Sequence, residues 1–262
     1  MALEFHQVDA FSDRPFAGNP AMVYRLDHWL DEGQMQQIAA EHNLAETAFL
    51  VREEAAWHIR WFTPTDEVPL CGHATLASAF VLFNCYGEPG ESIRFTCQSG
   101  LLRVNRDGER LVLDFPVRSL RPSDRLQEVE RILGTPVLEV WETEELLAVL
   151  PSEAAVRACQ PDLPALARLP GLGVIVTAQG DTHDFVSRYF APGIGIDEDP
   201  VTGSTHCTLT PFWAERLGKQ ALSAYQCSAR GGELHCTLEG ERVKIAGQAL
   251  LVASGRLHVA GT

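Results

Sequence analysis

The chain has 262 residues, of which 45% are hydrophobic and 21% charged, a composition typical of a globular protein long enough for two domains. Its formal net charge is −14, so its surface repels phosphate backbones and anionic lipids. Nucleic acids and membranes are therefore disfavoured as partners.

The first half of the chain is predicted to contain several strands and two helices. A helix is predicted over 31–43, and a second over 72–83, where no residue is charged and burial on all sides is expected. The stretches 93–104 and 110–115 are predicted to form one long hairpin. Further strands are predicted at 5–11, 21–25, 47–52 and 58–62.

The second half is predicted to repeat this pattern after a segment at 116–125 that is rich in Pro, Ser and Arg. A helix is predicted over 203–217, and Pro211 should kink it unless the helix has already ended by Thr210. Further strands are predicted near 137–150, 172–178 and 184–190, followed by a hairpin turning at 238–240 and a terminal strand over 248–259.

Three blocks of sequence recur in the same order at nearly constant offsets. Arg60, Phe62 and Pro64 match Arg188, Phe190 and Pro192 at an offset of 128, Gly72 matches Gly203 at 131, and 107–112 matches 239–244 at 132. The alternative is a chance agreement among common strand sequences. The repeat predicts two similar domains with a ligand site where they meet.

The order of elements predicts an α+β fold with two pseudo-symmetric domains. Each domain is expected to be a barrel-like, mostly antiparallel sheet wrapped around a central helix, because an uncharged helix must be covered on every side. The predicted bounds are 1–117 for the N-terminal domain and 118–249 for the C-terminal domain. The last strand, 250–262, is expected to return to the first domain.

Two predicted helix starts carry small residues at matched positions, Gly72 and Gly203. Glycine allows a close approach of a ligand to the backbone, and the free N–H groups and dipole of a helix start favour an anion. Plain helix capping by Thr202 or Ser204 is the alternative for the second start. The recurrence favours binding of a small carboxylate or phosphate.

Three titratable residues are further candidates for chemistry. Glu46 is surrounded by apolar sequence, which would raise the pKa of its carboxyl, although the local sequence better fits an exposed glutamate at the end of a helix. Asp199 precedes the second helix start, where it would orient a ligand or simply complement the helix dipole. His73, at the first start, is expected to be a neutral imidazole that donates a hydrogen bond or relays a proton, or else a structural cap.

Cysteine usage indicates a reducing compartment. The seven cysteines are odd in number and include no C-x-x-C pair, and the N-terminus shows no signal peptide, so a cytoplasmic protein is expected. Cys71, at a helix start, would ionise easily and is a candidate base or nucleophile, but the matched position in the second copy is Thr202. The spacing of Cys and His predicts no metal site, and no dinucleotide or phosphate-binding loop is present.

Five motifs in order resemble the PhzF-like (phenazine-biosynthesis) isomerase family. They are Asp9-Ala-Phe11 with Pro15-Phe-Ala-Gly-Asn-Pro20, Leu44-Ala-Glu-Thr-Ala-Phe49, Phe62-Thr-Pro64, Cys71-Gly-His-Ala-Thr75 and Asp199-Pro-Val-Thr-Gly-Ser204. The family is similar in fold to diaminopimelate epimerase, with two pseudo-symmetric halves. The founding member shifts a double bond and a proton in a dihydro-hydroxyanthranilate ring.

The resemblance implies a cofactor-independent isomerase that acts on a small carboxylate and is commonly a homodimer. It implies Glu46 as the acid/base in the cleft between the domains, with His73 and Asp199 holding and polarising the substrate. The remaining implied residues bind the substrate carboxylate or line its pocket: Asn19, Gly72, Gly203 and Ser204.

Two other functions stay open at the level of sequence. A two-base racemase or epimerase would use Cys71, although the second thiol of the epimerases is missing here and Thr205 stands where a smaller alanine is usual. A metabolite-binding protein of the same fold would keep the site without the chemistry. The substrate itself does not follow from the motifs.

Overall fold

The computed structural model describes residues 2–258. Position 259, the end of the predicted terminal strand, and 260–262 lie outside the described residues. The described chain divides into two compact units, one running to Asp114 and resuming at Ala246, the other covering Phe115–Ile245. The predicted boundaries, 117/118 and 249/250, lie a few residues beyond these two points.

Eighteen strands and six α-helices make up the described residues. The strands are β1 (Ala2–Ala10), β2 (Asn19–Leu26), β3 (Glu46–Arg52), β4 (Trp57–Phe62), β5 (Glu67–Val68), β6 (Ser92–Cys97), β7 (Gly100–Asp107), β8 (Arg110–Pro116), β9 (Arg121–Pro122), β10 (Glu139–Glu142), β11 (Leu146–Val149), β12 (Val174–Gln179), β13 (Phe185–Ala191), β14 (Ile196–Asp199), β15 (Ala221–Gln226), β16 (Gly232–Glu239), β17 (Arg242–Gly247) and β18 (Ala249–His258). The helices are α1 (Glu32–His42), α2 (Gly72–Asn84), α3 (Leu126–Leu133), α4 (Glu153–Ala158), α5 (Leu163–Leu166) and α6 (His206–Leu217), with a 3₁₀ turn at Pro192–Ile194.

The strands of the first unit pair in a defined order. β1 pairs antiparallel with β2 and with β18, β2 pairs parallel with β3, and β3 pairs antiparallel with β4. β4 then pairs antiparallel with β5 and parallel with β6, which continues antiparallel to β7 and β8. The unit is therefore one mixed, mostly antiparallel sheet with two parallel steps.

The second unit repeats the same sequence of pairings. β10 and β11 are antiparallel, β11 and β12 parallel, and β12 and β13 antiparallel. β13 pairs antiparallel with β14 and parallel with β15, which is antiparallel to β16. The parallel steps thus fall at equivalent places in both units. This agreement and the sequence repeat describe the same duplication, and the predicted fold class is confirmed.

The uncharged helix α2 is buried as predicted. Every residue of the helix except Phe80 and Asn84 is buried, and the helix contacts β1, β2 and β3 of its own unit. Hydroxyls within it are satisfied by its own backbone, as in the bond that Ser78 Oγ donates to the Ala74 carbonyl at 2.6 Å. No helix of residues 2–258 is both long enough and apolar enough to cross a membrane.

Helix α6 ends at Leu217 as predicted, rather than at the alternative end by Thr210, but its start differs from the prediction. It begins at His206 rather than at Gly203, because the three residues before it form a tight turn of i→i+3 bonds, such as His206 N–H to the Gly203 carbonyl at 3.1 Å. It also continues through Pro211 to Leu217. Pro211 has no N–H for the Cys207 carbonyl, which instead accepts a bond from Arg118 N–H at 3.1 Å.

Two further differences concern short elements. The predicted strand 93–104 is two strands, β6 and β7, joined by a turn at 98–99. The three helices α3, α4 and α5 were not predicted. Helix α3 is amphipathic and buries Val129, Ile132 and Leu133 in the core of the second unit.

Candidate active site

The strand ends of the first unit bring two of the predicted site residues together. Asn19 begins β2 and Glu46 begins β3, and the parallel register pairs Ala21 with Glu46. Because neighbouring parallel strands start at the same edge of a sheet, both polar side chains lie at that edge. His73, the second residue of α2, completes the group.

The His73 imidazole is the centre of the cluster. Its Nδ1 lies 3.1 Å from Asn19 Nδ2, and the amide donates to this nitrogen when the ring proton is on Nε2. Burial lowers the pKa of His73 to about 3, and the Pro20 carbonyl acts in the opposite direction. The ring is therefore neutral at physiological pH, as the sequence predicts.

Glu46 faces the other edge of this ring. Its Oε2 lies 3.1 Å from His73 Nε2, with side-chain exposures of 12% and 5% respectively. The local sequence better fits an exposed glutamate at a helix end. That expectation is wrong, because Glu46 is the first residue of a strand whose side of the sheet is covered by α2. The Nε2 contact is close but is not aligned as a hydrogen bond.

Cys71 adds a thiol to the same cluster. It is the N-cap residue of α2, is buried, and makes no side-chain cap. Its Sγ lies 3.5 Å from His73 Nδ1, while its carbonyl accepts a bond from Thr75 Oγ1 at 2.5 Å. One donor atom each of Glu46, Cys71 and His73 lies within 4.8 Å of the other two. Carboxylate, thiol and imidazole are thus in mutual reach.

A separate polar network surrounds Asp199 in the second unit. Asp199 Oδ2 accepts a bond from Thr202 Oγ1 at 2.5 Å. Gln226 connects the two, since its Nε2 donates to the Asp199 carbonyl at 2.8 Å and its Oε1 accepts from Thr202 N–H at 2.8 Å. All three residues are buried. Gln226 was not predicted, because it lies on β15 and carries no local signal of its role.

The segment between Asp199 and α6 holds the remaining predicted residues. Gly203 is buried and Ser204 is half-buried in the turn before the helix. His206, also missed from sequence, has Nδ1 2.8 Å from the Thr202 carbonyl, and burial lowers its pKa to about 4. In the repeat, Ser204 occupies the position that His73 has in the first unit.

The predicted site residues therefore form two groups. Asn19, Glu46, Gly72 and His73 lie together in the first unit, and Asp199, Gly203 and Ser204 lie together in the second. The first group places a buried carboxyl group 3.1 Å from a buried imidazole.

Comparison with known proteins identifies the family. The family model PhzC-PhzF, described as phenazine biosynthesis-like protein, matches residues 8–255. The chain belongs to the PhzC-PhzF family.

Members of the PhzC-PhzF family resemble the chain over its whole length. A protein of Pseudomonas aeruginosa named as an uncharacterized isomerase is 65% identical over 99% of this chain and 100% of its own. A second protein of that name from the same organism is 49% identical over the same shares. A crystal structure of a PhzF-family phenazine biosynthesis protein from Enterococcus faecalis matches with a TM-score of 0.97 and 49% identity, covering 99% of this chain and 100% of that one.

The fold alone extends further. The structure of a probable proline racemase from Agrobacterium radiobacter matches with a TM-score of 0.66 at 11% identity, over 98% of this chain and 93% of that one. The fold is thus shared with a probable racemase, and two relatives of the chain are named as isomerases.

Proposed function

We propose that this chain is a cofactor-independent isomerase that moves a proton, and with it a double bond, within a small carboxylate substrate. Glu46 is the acid/base. The observation that carries the proposal is the buried contact between Glu46 Oε2 and His73 Nε2, 3.1 Å apart. A carboxylate held against a neutral imidazole is a base whose conjugate acid can return the same proton.

The reaction needs no oxidant, reductant or second substrate. The Glu46 carboxylate accepts a proton from one carbon of the substrate, and the released electron pair shifts the double bond along the conjugated system. The protonated Glu46 then donates the proton to a different carbon, and the carboxylate is regenerated. A proton on His73 Nε2 would favour the carboxylate form of Glu46 that begins and ends the cycle.

The start of α2 supplies the anion-binding part of the proposal. The backbone N–H groups of Gly72 and His73 belong to the first turn of a 13-residue helix and favour a negative charge. The sequence prediction that Asp199, Gly203 and Ser204 of the second unit serve the same substrate stays a prediction. Ser204→Ala tests it, and a raised KM with unchanged kcat is expected.

The two-base alternative is disfavoured by distance. Two bases that flank one carbon stand about 6–7 Å apart, because each must come within about 3–3.5 Å of that carbon. Donor atoms of Cys71 and Glu46 lie within 4.8 Å of each other, so these two side chains are poorly spaced to act as the two bases on one carbon. They would act from one face of a substrate, which fits a proton shift rather than racemisation.

Proton NMR in D₂O tests the proposal. The first compound tested is the dihydro-hydroxyanthranilate on which the founding member of the PhzF-like family acts. Small unsaturated carboxylates follow. We expect deuterium exchange or rearrangement with the wild type and none with Glu46→Gln. Glu41→Gln, the same change at an exposed position of α1, is the matched control and should keep full activity. Activity in Glu46→Gln would refute the role, and probes that bind without exchange would indicate a binding protein.

A further inference from the structure

The side chains of Glu46, Cys71 and His73 have a second capacity besides proton transfer. We infer that they form a binding site for one borderline-soft divalent cation of the Zn²⁺ class, and that such a cation inhibits the enzyme. The inhibition rests on the proposed function. The metal binding does not, because it follows from the donor atoms alone.

The donor set is that of a three-ligand zinc site. Zn²⁺ in proteins binds thiolate, imidazole and carboxylate, and catalytic sites hold it with three protein ligands and one open position. Among the His, Cys, Asp and Glu side chains of residues 2–258, those of Glu46, Cys71 and His73 lie close enough together to share an ion. Hard cations such as Mg²⁺ prefer oxygen ligands and fit this set poorly.

The distances require little movement. Metal–ligand bonds of about 2.0–2.3 Å at tetrahedral angles put neighbouring donor atoms about 3.3–3.7 Å apart. Glu46 Oε2 and His73 Nε2 are 3.1 Å apart, and the widest separation among the three donors is at most 4.8 Å. The longest of these separations therefore has to shorten by about 1 Å for the three residues to share an ion.

The surroundings of His73 also suit a metal ligand. A metal-bound histidine usually donates its other ring N–H to a carbonyl or carboxylate. His73 Nε2 makes no hydrogen bond with residues 2–258, so the bond between the ring and the Pro20 carbonyl involves Nδ1. In the tautomer with the proton on Nδ1, that carbonyl is the acceptor, and Nε2 is left to face Glu46 and the metal.

The charges balance when the metal binds. The ion brings two positive charges, the Glu46 carboxylate brings one negative charge, and Cys71 brings a second after its thiol proton leaves to solvent. A neutral buried complex avoids the cost of an isolated charge in a poorly solvated place. The ion would then occupy the oxygen that the proposed reaction uses as base, and proton transfer would stop.

Cobalt(II) titration of the full, chelator-treated chain tests the site by a readout independent of activity. Co²⁺ bound to a thiolate gives a sulfur-to-metal charge-transfer band in the near ultraviolet. We expect one equivalent to give this band, excess Zn²⁺ to remove it, and Mg²⁺ to leave it unchanged. Cys71→Ala should lose the band, and Glu46→Gln should weaken binding more than tenfold.

Cys85→Ala is the matched control, because it removes an exposed cysteine and should leave the band intact. Thermal unfolding without metal shows whether each variant is folded, and Cys71→Ser replaces Cys71→Ala if the latter is not. A missing band in the wild type, or a band that persists in the folded Cys71 variant, overturns the inference.

The two proposals fail in distinguishable ways. Turnover by Glu46→Gln would refute the acid/base role. The metal site would then still be judged by the cobalt band alone. A wild type that isomerises its substrate but binds no cobalt keeps the proposed function and loses the metal site. With both in place, saturating Zn²⁺ should reduce turnover more than tenfold, and a chelator should restore it.

Discussion

Glu46 Oε2 and His73 Nε2 lie 3.1 Å apart, although one side chain starts a strand and the other starts a helix. A third residue lies at the opposite edge of the ring, since Asn19 Nδ2 is 3.1 Å from His73 Nδ1 and donates to it when the ring proton is on the side of Glu46. The three side chains are thus brought together by the starts of β2, β3 and α2.

The first prediction concerns this positioning by Asn19. Asn19→Ala should lower kcat/KM about tenfold, the size of one hydrogen bond of about 1.4 kcal/mol. Asn19→Asp should move the ring proton to Nδ1, because a carboxylate only accepts, and should raise the pKa of His73. Heteronuclear NMR of the imidazole reports the tautomer, and an unchanged tautomer in Asn19→Asp would contradict the assignment.

The second prediction concerns acid stability. The pKa of His73 is lowered to about 3 and that of His206 to about 4, both by burial. Between these values and the ordinary value near 6.5, only the unfolded chain binds the proton, so the free energy of unfolding falls as pH falls. Each imidazole contributes up to about 1.4 kcal/mol per pH unit in that window.

Urea unfolding between pH 7 and pH 4.5 measures this slope. His206→Gln removes one titrating group and should make the pH dependence of the free energy of unfolding shallower than in the wild type. The comparison uses the difference between the two chains, so acidic groups common to both cancel. Equal slopes would mean that His206 is not buried in neutral form.

The third prediction concerns Gly18, which precedes Asn19. Its φ is +68°, and a Cβ there would lie 2.2 Å from the Ala10 carbonyl oxygen. Gly240 has a similar φ of +60° and open space around it. Gly240→Ala should cost only the left-handed backbone conformation, about 1–2 kcal/mol, and Gly18→Ala should cost clearly more. Equal losses in urea unfolding would contradict the close contact.

The fourth prediction concerns an ion pair that recurs in both units. Arg60 pairs with Glu67 through two bonds of 2.7 and 2.6 Å, and Arg188 pairs with Glu198 through two of 2.7 and 2.9 Å. Arg188 is 11% exposed and also donates to the Cys159 carbonyl.

Arg188 and Glu198 are half-buried, and removal of the guanidinium leaves the Glu198 carboxylate and the Cys159 carbonyl without this donor, so Arg188→Met should cost about 2 kcal/mol. Arg121→Met, which breaks an ion pair at a position 77% exposed, should cost less than about 1 kcal/mol. Chemical denaturation compares the free energies of unfolding of the two variants. A loss for Arg188→Met no larger than that for Arg121→Met would contradict the stabilising role of Arg188.

The fifth prediction is the homodimer that the family resemblance implies. Sedimentation equilibrium of the full chain should give twice the chain mass of 28.8 kDa. A concentration-independent mass of one chain would rule it out.

Much of the fold was predictable, because its determinants are local or repeated. The absence of charged residues in α2 predicts its burial, and Asp31 and Asn43 mark the two ends of α1. The duplicated Arg-x-Phe-x-Pro blocks predict the two units. The start of α6 was misplaced because a tight turn and a helix share the same small and hydroxyl residues.

The site was less accessible to reasoning from local sequence. Glu46 becomes a candidate base only because a long-range parallel pairing buries it, and the family motifs, rather than its neighbours in the chain, singled it out. Gln226 lies 24 positions beyond Thr202 and was missed because its role depends on tertiary contact alone. The proximity of Cys71 to Glu46 is likewise invisible in the spacing of the sequence.

The carbonyl that Pro211 leaves without an intrahelical donor has a consequence for the connection into the second unit. Since Arg118 N–H takes the Cys207 carbonyl, the proline creates an attachment point for the incoming chain in the middle of α6. A residue with its own N–H at position 211 would compete for that oxygen and release the connecting segment. The proline that removes one intrahelical hydrogen bond therefore anchors the segment that leads into the second unit.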